Sequence, residues 1–437
     1  MTTPSTSLAA DPLRRTDVRP PTGPGGPARP RRERRHDLDW LRVLAVLLLL
    51  YFHTAMLFVA EWGWHIKNPE TSPLLLEFNH FLSGFRMALL FLISGIGTGF
   101  ALGYRSPGEY LRERGKRLLV PLVFGVFVVV PPQIYVERLV QGETFASYLD
   151  FYASVFALRP YPAGNTSWHH LWFVFYLFGY SLVALPLFLR LRGEAGDRVR
   201  AALGRAFRGP GILLPAVPLG LTLALLRPVA PGPQNVIDDA AYLLYYFLFF
   251  VFGFLIGDDG AAWDRIVDRR RTILGLALLA TTAINALRWN GAAPPAAYTP
   301  ESALYLSLRA LNAWCWVLAI LGYGRRHLSF RNRLLAYANE GVYPFYILHQ
   351  TVIVVLGYYV IQVEGDVLLK FLFTSTLSLV ATVALYEFAV RPYRVTRFLF
   401  GMKTRRVAPT PPAAMVRHEN GGYTGEEARP AVAGKVP

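Results

Sequence analysis

The run LDWLRVLAVLLLLYFHTAML, residues 38–57, sets Asp39, Arg42 and His53 into an otherwise apolar stretch. Ionisable groups are costly in lipid and mark a polar path or a site. Arg42 and His53 are eleven positions apart, about three helical turns plus 20° and about 16 Å along the axis, so both leave the same face of a helix. Asp39, three residues before Arg42, shares that stripe. A histidine kept neutral by its neighbours is a general base near neutral pH. The plainer alternative is an imidazole that only bridges two helices.

Other residues have chemical potential. In GFRMALLFLISGIGTGFALG, residues 84–103, Arg86 falls near one end of an apolar run. It either snorkels to the interface or turns inward to bind an anion. Gly95, Gly99 and Gly103 follow at four-residue steps, a spacing that favours close helix contact. The segment YLRERGKRLLVP gathers Arg112, Arg114, Lys116 and Arg117. Such a cluster anchors a helix end among lipid headgroups or clamps phosphates. His349 lies inside VYPFYILHQTVIVV, one turn from Tyr346. His65, His80, His169 and His170 gather near tryptophans, but no H-x-x-x-H or H-E-x-x-H spacing exists, so no metal ligands are assigned.

The elements that must hold these residues are membrane helices. Of the 437 residues 53% are hydrophobic, and mean hydropathy is +0.31, beyond what an ordinary soluble enzyme carries. The expected fold is all-α, a polytopic bundle of about ten transmembrane helices near 38–59, 81–102, 118–135, 169–189, 211–226, 239–257, 273–289, 303–322, 341–362 and 368–390. The fifth is short and holds two prolines. Residues 1–36 carry eight arginines and no apolar signal-peptide region, and read as a disordered basic cytoplasmic arm. A transmembrane domain over 37–395 follows, then a basic and finally disordered cytoplasmic tail over 396–437.

Charge orients the bundle. With the N-terminus cytoplasmic, the inner loops 103–117, 190–210, 258–272 and 323–340 hold 5, 6, 4 and 4 Lys/Arg, while the five outer loops hold 1, 2, 1, 0 and 0. This positive-inside bias accounts for the net charge of +16 without nucleic acid. Both termini are then cytoplasmic. One cysteine, Cys315, excludes an intrachain disulfide. No P-loop, dinucleotide fingerprint or G-x-S-x-G elbow is present, so any chemistry happens within the membrane region.

These motifs resemble the acyltransferase-3 family of membrane acyltransferases. LDWLRVLAVLLLLYFH has the family's Arg, ten residues, His. FRMALLFLISGIGTGF is similar to its Phe-Phe-x-x-Ser-Gly segment, with Leu for the second Phe. YLRERGKRLLVPLV resembles its Tyr-x-x-x-Arg-x-x-Arg-x-x-x-Pro run, and HLWFVFYLF and VYPFYILHQ its later marks. The HLWF form looks like the branch of periplasmic glucan succinyltransferases. The resemblance implies transfer of an acetyl- or succinyl-type group from cytoplasmic acyl-CoA to a hydroxyl of an extracytoplasmic glycan or glycolipid. It implies no bound cofactor, acyl-CoA being the donor substrate. It casts His53 as the essential histidine with Arg42 as its catalytic partner, Arg86 and Ser94 as lining the second-span site, Arg114 and Arg117 as lying near the CoA phosphates, and His349 as a further substrate-side residue. Direct transfer with His53 as base and a route through acyl-histidine both satisfy these residues. The competing reading is an exporter of a lipid-linked or glycan substrate, against which no second LDWLR…H pattern appears in the other half of the chain.

Overall fold

The computed structural model describes residues 34–403 apart from 208, 233–237 and 258. The expected N-terminal arm and the end of the tail lie almost wholly outside the described residues. The described chain is helical, with no strand. In order the helices are α1 His36–Ala55, α2 Pro73–Ser83, α3 Arg86–Leu102, α4 Pro107–Arg114, α5 Val120–Phe124, α6 Pro131–Val140, α7 Tyr148–Val155, α8 Trp172–Val183 and α9 Leu185–Arg190. The second half holds α10 Glu194–Ala206, α11 Ala216–Leu226, α12 Ala240–Gly257, α13 Gly260–Asp268, α14 Arg270–Trp289, α15 Pro300–His327, α16 Arg333–Val360, α17 Val367–Leu385 and α18 Arg394–Leu399.

Eight helical stretches among the described residues are long and apolar enough to cross a bilayer. They match eight of the ten expected spans. The other two expectations fall on shorter pieces: 169–189 is divided into α8 and α9, and 211–226 is the apolar helix Pro210–Leu226. Boundaries move outward elsewhere. The span expected to begin at 118 belongs to a helical run from Pro107 to Val140, and the one expected at 341 begins at Arg333. Hydropathy misses these extensions because their first turns are polar. Local chemistry starts them all the same: Ser106 and Glu109 form a reciprocal capping box with Pro107 in the first turn, and the Asn332 side chain accepts from the Leu335 amide. The α4–α6 run passes through two wide turns, Gly115–Leu119 and Gly125–Val129, with i to i+5 bonding.

Two packings position the site. First, α1 and α16 lie side by side and point the same way, although they come from opposite ends of the chain. Arg42 meets Asn339, His53 meets His349, and a Cβ on Gly357 would sit 2.9 Å from Leu57 Cδ1. The contacts climb both helices together. Second, α3 presses its backbone onto α12. A Cβ on Gly95 would fall 1.9 Å from the Phe250 carbonyl oxygen, and one on Gly253 2.0 Å from that of Leu92. Gly95, and less tightly Gly99 at 3.5 Å from Phe254, therefore serve helix contact, while Gly103 meets only its own helix. This packing brings the start of α3, with Arg86, against the far end of α1 at Phe52. Its other end meets Tyr110 and Arg114 at Thr98. The amphipathic stretch expected between 136 and 168 contains α7, capped by Ser147, with Phe151 and Val155 buried.

Candidate active site

His53 stands in the last turn of α1, where the apolar stripe of the helix meets three other elements. Two nearly parallel rings neighbour its imidazole. Trp64, from the loop after α1, stacks at 5.3 Å and 22°, and His349 of α16 at 5.1 Å and 20°. Nδ1 of His53 is 2.9 Å from Nε2 of His349, and Nδ1 of His349 is 2.6 Å from the Tyr346 carbonyl oxygen. His349 is wholly buried and His53 is 9% exposed. His349 thus sits sixteen residues into α16, level with His53, and not near the start of its span as the sequence boundary implied.

Arg86 is the neighbouring charge. Its guanidinium carbon lies 3.3 Å from the centroid of the Phe52 ring, the residue before His53. Its Nε and Nη1 are buried and have no hydrogen-bond partner among the described residues. A buried guanidinium without a carboxylate is expensive, so of the two expected orientations it takes the inward one. Its unused N–H donors suit an anion or a developing oxyanion.

Arg42 does not reach His53. It donates to Asp39 Oδ1 at 2.7 Å and to Asn339 Oδ1, and its side chain is 41% exposed. Helix α1 therefore carries its two polar residues to two separate contacts on α16. Asn339 was invisible as a site residue, although it precedes His349 by ten positions much as Arg42 precedes His53 by eleven.

Ser94 turns back on its own helix, Oγ donating to the Leu90 carbonyl at 2.7 Å. One turn on, Thr98 Oγ1 receives Arg114 Nη2 at 3.0 Å and lies 3.3 Å from Tyr110 Oη. Arg114 also stacks on the Tyr110 ring at 4.9 Å. Arg117 is half-exposed and pairs loosely with Glu113 at 3.5 Å. Both guanidinium groups act electrostatically on Tyr343, which is partly buried and whose buried hydroxyl has no hydrogen-bond partner among the described residues. Tyr343, Tyr346 and His349 follow at three-residue steps on α16, with rings 6.5 Å and then 5.8 Å apart. This stripe leads from the basic end of the bundle to His53.

His170 and His65 are tied into hydrogen bonds, whereas His80 lies 3.5 Å from Glu61. His170 Nε2 donates to the Ile347 carbonyl at 3.0 Å, and Tyr346 Oη donates to the His170 carbonyl. His65 Nδ1 lies 2.5 Å from Glu137 Oε2, and Tyr161 Oη donates to Glu137 Oε1 at 2.7 Å. Burial first, then this bond to Glu137, pushes the Tyr161 hydroxyl up to about 12, so it stays a donor. Gln350 Nε2 faces His65 Nε2 at 3.2 Å and donates to Gln133 Oε1 at 3.1 Å; Gln133 donates to Thr351 at 2.6 Å. The sequence assigned no metal ligands, yet folding draws the ligand atoms of His65, Glu137 and His169 within 4.8 Å of one another. Two of these atoms already bond each other directly, and the donors and acceptors run in one consistent direction. His65, Glu137, Gln350 and Gln133 form a hydrogen-bonded brace between α6, α16 and the loop after α1, while Nε2 of His169 is buried without a hydrogen-bond partner among the described residues. Lys67, from the same loop as His65, caps the end of α1 by donating to the Met56 carbonyl at 2.9 Å and to that of Val59.

Comparison with known proteins follows this geometry. Residues 35–387 match the sequence profile of the Acyl_transf_3 family, described as an acyltransferase domain. The chain is similar to glucans biosynthesis protein C of Shigella dysenteriae serotype 1 (strain Sd197), 25% identical over 382 residues, covering 84% of this chain and 94% of that protein. It is similar to the same protein of Escherichia coli (strain K12) at the same identity and coverage, and of Escherichia coli O139:H28 at 26% over 384 residues, again covering 84% and 94%. No solved structure matches.

Proposed function

We propose, for a chain that belongs to the acyltransferase-3 family and is a membrane acyltransferase, a route through the helix bundle for one acyl group. The donor is acyl-CoA, held at the basic end. The acceptor is a hydroxyl of a glycan or glycolipid on the other side of the inner membrane. The shared name of the relatives, which refers to glucans, supports a carbohydrate acceptor.

The observation that carries the reading is the company of His53: an imidazole bonded edge to edge to His349 and flanked by the Trp64 ring, next to a guanidinium, packed on Phe52, with unused buried donors. The acceptor oxygen attacks the thioester carbon while the imidazole of His53 takes the hydroxyl proton. The oxygen of the tetrahedral intermediate gathers negative charge, and Arg86, packed on the neighbouring Phe52 with unpartnered N–H groups, is the donor to receive it. Collapse breaks the C–S bond, and His53 returns the proton to the departing thiolate, giving CoA and the ester. Charges on CoA phosphates suit Arg114 and Arg117, and Tyr343 and Tyr346 lie on the path along which the pantetheine arm extends towards His53. Arg42 braces α1 on α16 through Asn339 and helps hold His53 at its depth.

The test is release of CoA from acetyl-CoA and succinyl-CoA by the purified full-length protein in lipid nanodiscs, with and without β-glucan acceptor, beside His53→Ala. Acceptor-dependent CoA release that disappears in a folded His53→Ala protein is the expected result. Equal turnover in the two proteins overturns the assignment of His53. Passage of glucan across proteoliposomes without any acyl donor would favour an exporter.

A further inference from the structure

The two contacts of the His349 ring dictate where hydrogens lie. A carbonyl oxygen only accepts, so the 2.6 Å contact with Tyr346 puts the hydrogen of His349 on Nδ1. A neutral imidazole so protonated has its lone pair on Nε2. That atom faces His53 Nδ1 at 2.9 Å, and two lone pairs do not bond. His53 Nδ1 therefore carries its hydrogen, and its lone pair is on Nε2.

Both rings are neutral in this arrangement for a geometric reason. The groups facing them are Arg86 from α3, His65 from the loop after α1 and His170 from the turn before α8. None is an acid, and the nearest carboxylate partner of the group, Glu137, is already engaged by His65 and Tyr161. A second resident positive charge would be uncompensated.

We infer that His349 is a positioning residue: it fixes His53 in the Nδ1–H tautomer, so that Nε2 is the nitrogen offered to the acceptor hydroxyl. The assignment of the hydroxyl rests on the proposed acyl transfer; the tautomer does not. When Nε2 takes the proton, the Nδ1–H···Nε2 bond to His349 becomes charge-assisted and holds the imidazolium. An imidazole anchored on a backbone carbonyl then does what the carboxylate of a serine-protease triad does, orienting the base and supporting its cation without itself taking the proton. Tyr346 secures the anchor from below, its hydroxyl donating to the His170 carbonyl.

The experiment compares wild type, His349→Gln and His349→Phe as full-length proteins in nanodiscs. Glutamine keeps an acceptor oxygen within reach of His53 Nδ1, whereas phenylalanine keeps the ring volume and removes the acceptor. Ring ¹⁵N spectra of histidine-labelled protein read the tautomer, with His53→Gln identifying the His53 signals. The expected wild-type His53 signal is the Nδ1–H form, retained in His349→Gln and lost or mixed in His349→Phe. In turnover, His349→Phe lowers kcat on the order of 100-fold with KM for acyl-CoA little changed. The acidic limb of its kcat profile moves to lower pH, because the protonated base has lost its support; His349→Gln recovers most of the rate. An Nε2–H signal for His53 in the wild type overturns the inference. So does a His349→Phe protein with unaltered kcat and pH limb, or equal loss in the Gln and Phe variants. Absence of any acyl transfer by the wild type counts against the reaction alone, since the spectrum decides the tautomer separately.

Discussion

His53 and His349, 296 positions apart in the chain, stand ring against ring with their nitrogens 2.9 Å apart. The contact joins the first long helix to a helix in the last quarter of the sequence. It ties the depth of the His53 ring to the packing of α1 on α16.

Replacing His53 by glutamine, which keeps bulk and polarity, is expected to lower acceptor-dependent CoA release by at least about 100-fold, the usual worth of a positioned base. The unfolding midpoint should change little. The measurement is turnover beside thermal unfolding on the same preparation, and full activity would exclude the assigned role.

Arg86→Met should separate function from stability. The native guanidinium is buried over Phe52 with two nitrogens unbonded, a cost that an apolar side chain of similar length removes. The variant is expected to melt at a higher temperature and to lose on the order of 100-fold in kcat, as when one oxyanion donor is deleted. A lower midpoint would show that the guanidinium has a partner that stabilises it in the folded protein.

Arg42 and Asn339 are expected to behave as one unit. Each of Arg42→Gln and Asn339→Ala should cost roughly 1–3 kcal/mol of stability, the range for a hydrogen bond to a charged group. The double variant should cost little more than the worse single one. A double-mutant cycle by thermal or denaturant unfolding reads this; additive losses would mean that the bond contributes nothing.

Lys67 gives a pH signature outside the membrane helices. Burial lowers its ammonium from 10.5 to about 8. Between those values the unfolded chain binds the extra proton, so this group makes stability rise with pH from about 8 to 10.5. Below about 8 both states are charged and the burial cost is constant. Thermal midpoints of wild type and Lys67→Met at pH 7, 8, 9 and 10 should therefore diverge in favour of the wild type as pH rises. A constant difference would remove the assignment.

Gly95→Ala places a methyl group where 1.9 Å separates it from the Phe250 carbonyl, while the same change at Gly97 meets open space. The first is expected to destabilise by about 1–3 kcal/mol and to reduce turnover by shifting α3, and Arg86 with it. The second should be silent in both measurements.

Much of this was legible in residue types. Apolar runs located the membrane helices, and the polar stripe of residues 38–57 singled out His53. Arg86 was ambiguous because periodicity places a side chain on a face without saying what covers that face; only the packing of α3 on α12 and α1 turned it inward. Arg42 and His53 share a stripe, as spacing required, but a stripe sixteen ångströms long touches different partners along its length. Asn339, Trp64 and the stack of Tyr343, Tyr346 and His349 could not be read, since they depend on which distant helix lies alongside α1. The brace of His65, Glu137 and Gln350 was hidden for the same reason.

The pairing of α1 with α16 also sets a schedule. A ribosome reads out His53 early and His349 some three hundred residues later, so the first helix must wait in the bilayer, its imidazole unmatched, until nearly the whole protein has been made. A chain released early, even one with every helix before α16 already inserted, would have the His53 ring without the His349 ring it bonds to. On the proposed role of His53, competence arrives late and all at once, and prematurely terminated products are inert rather than partly active.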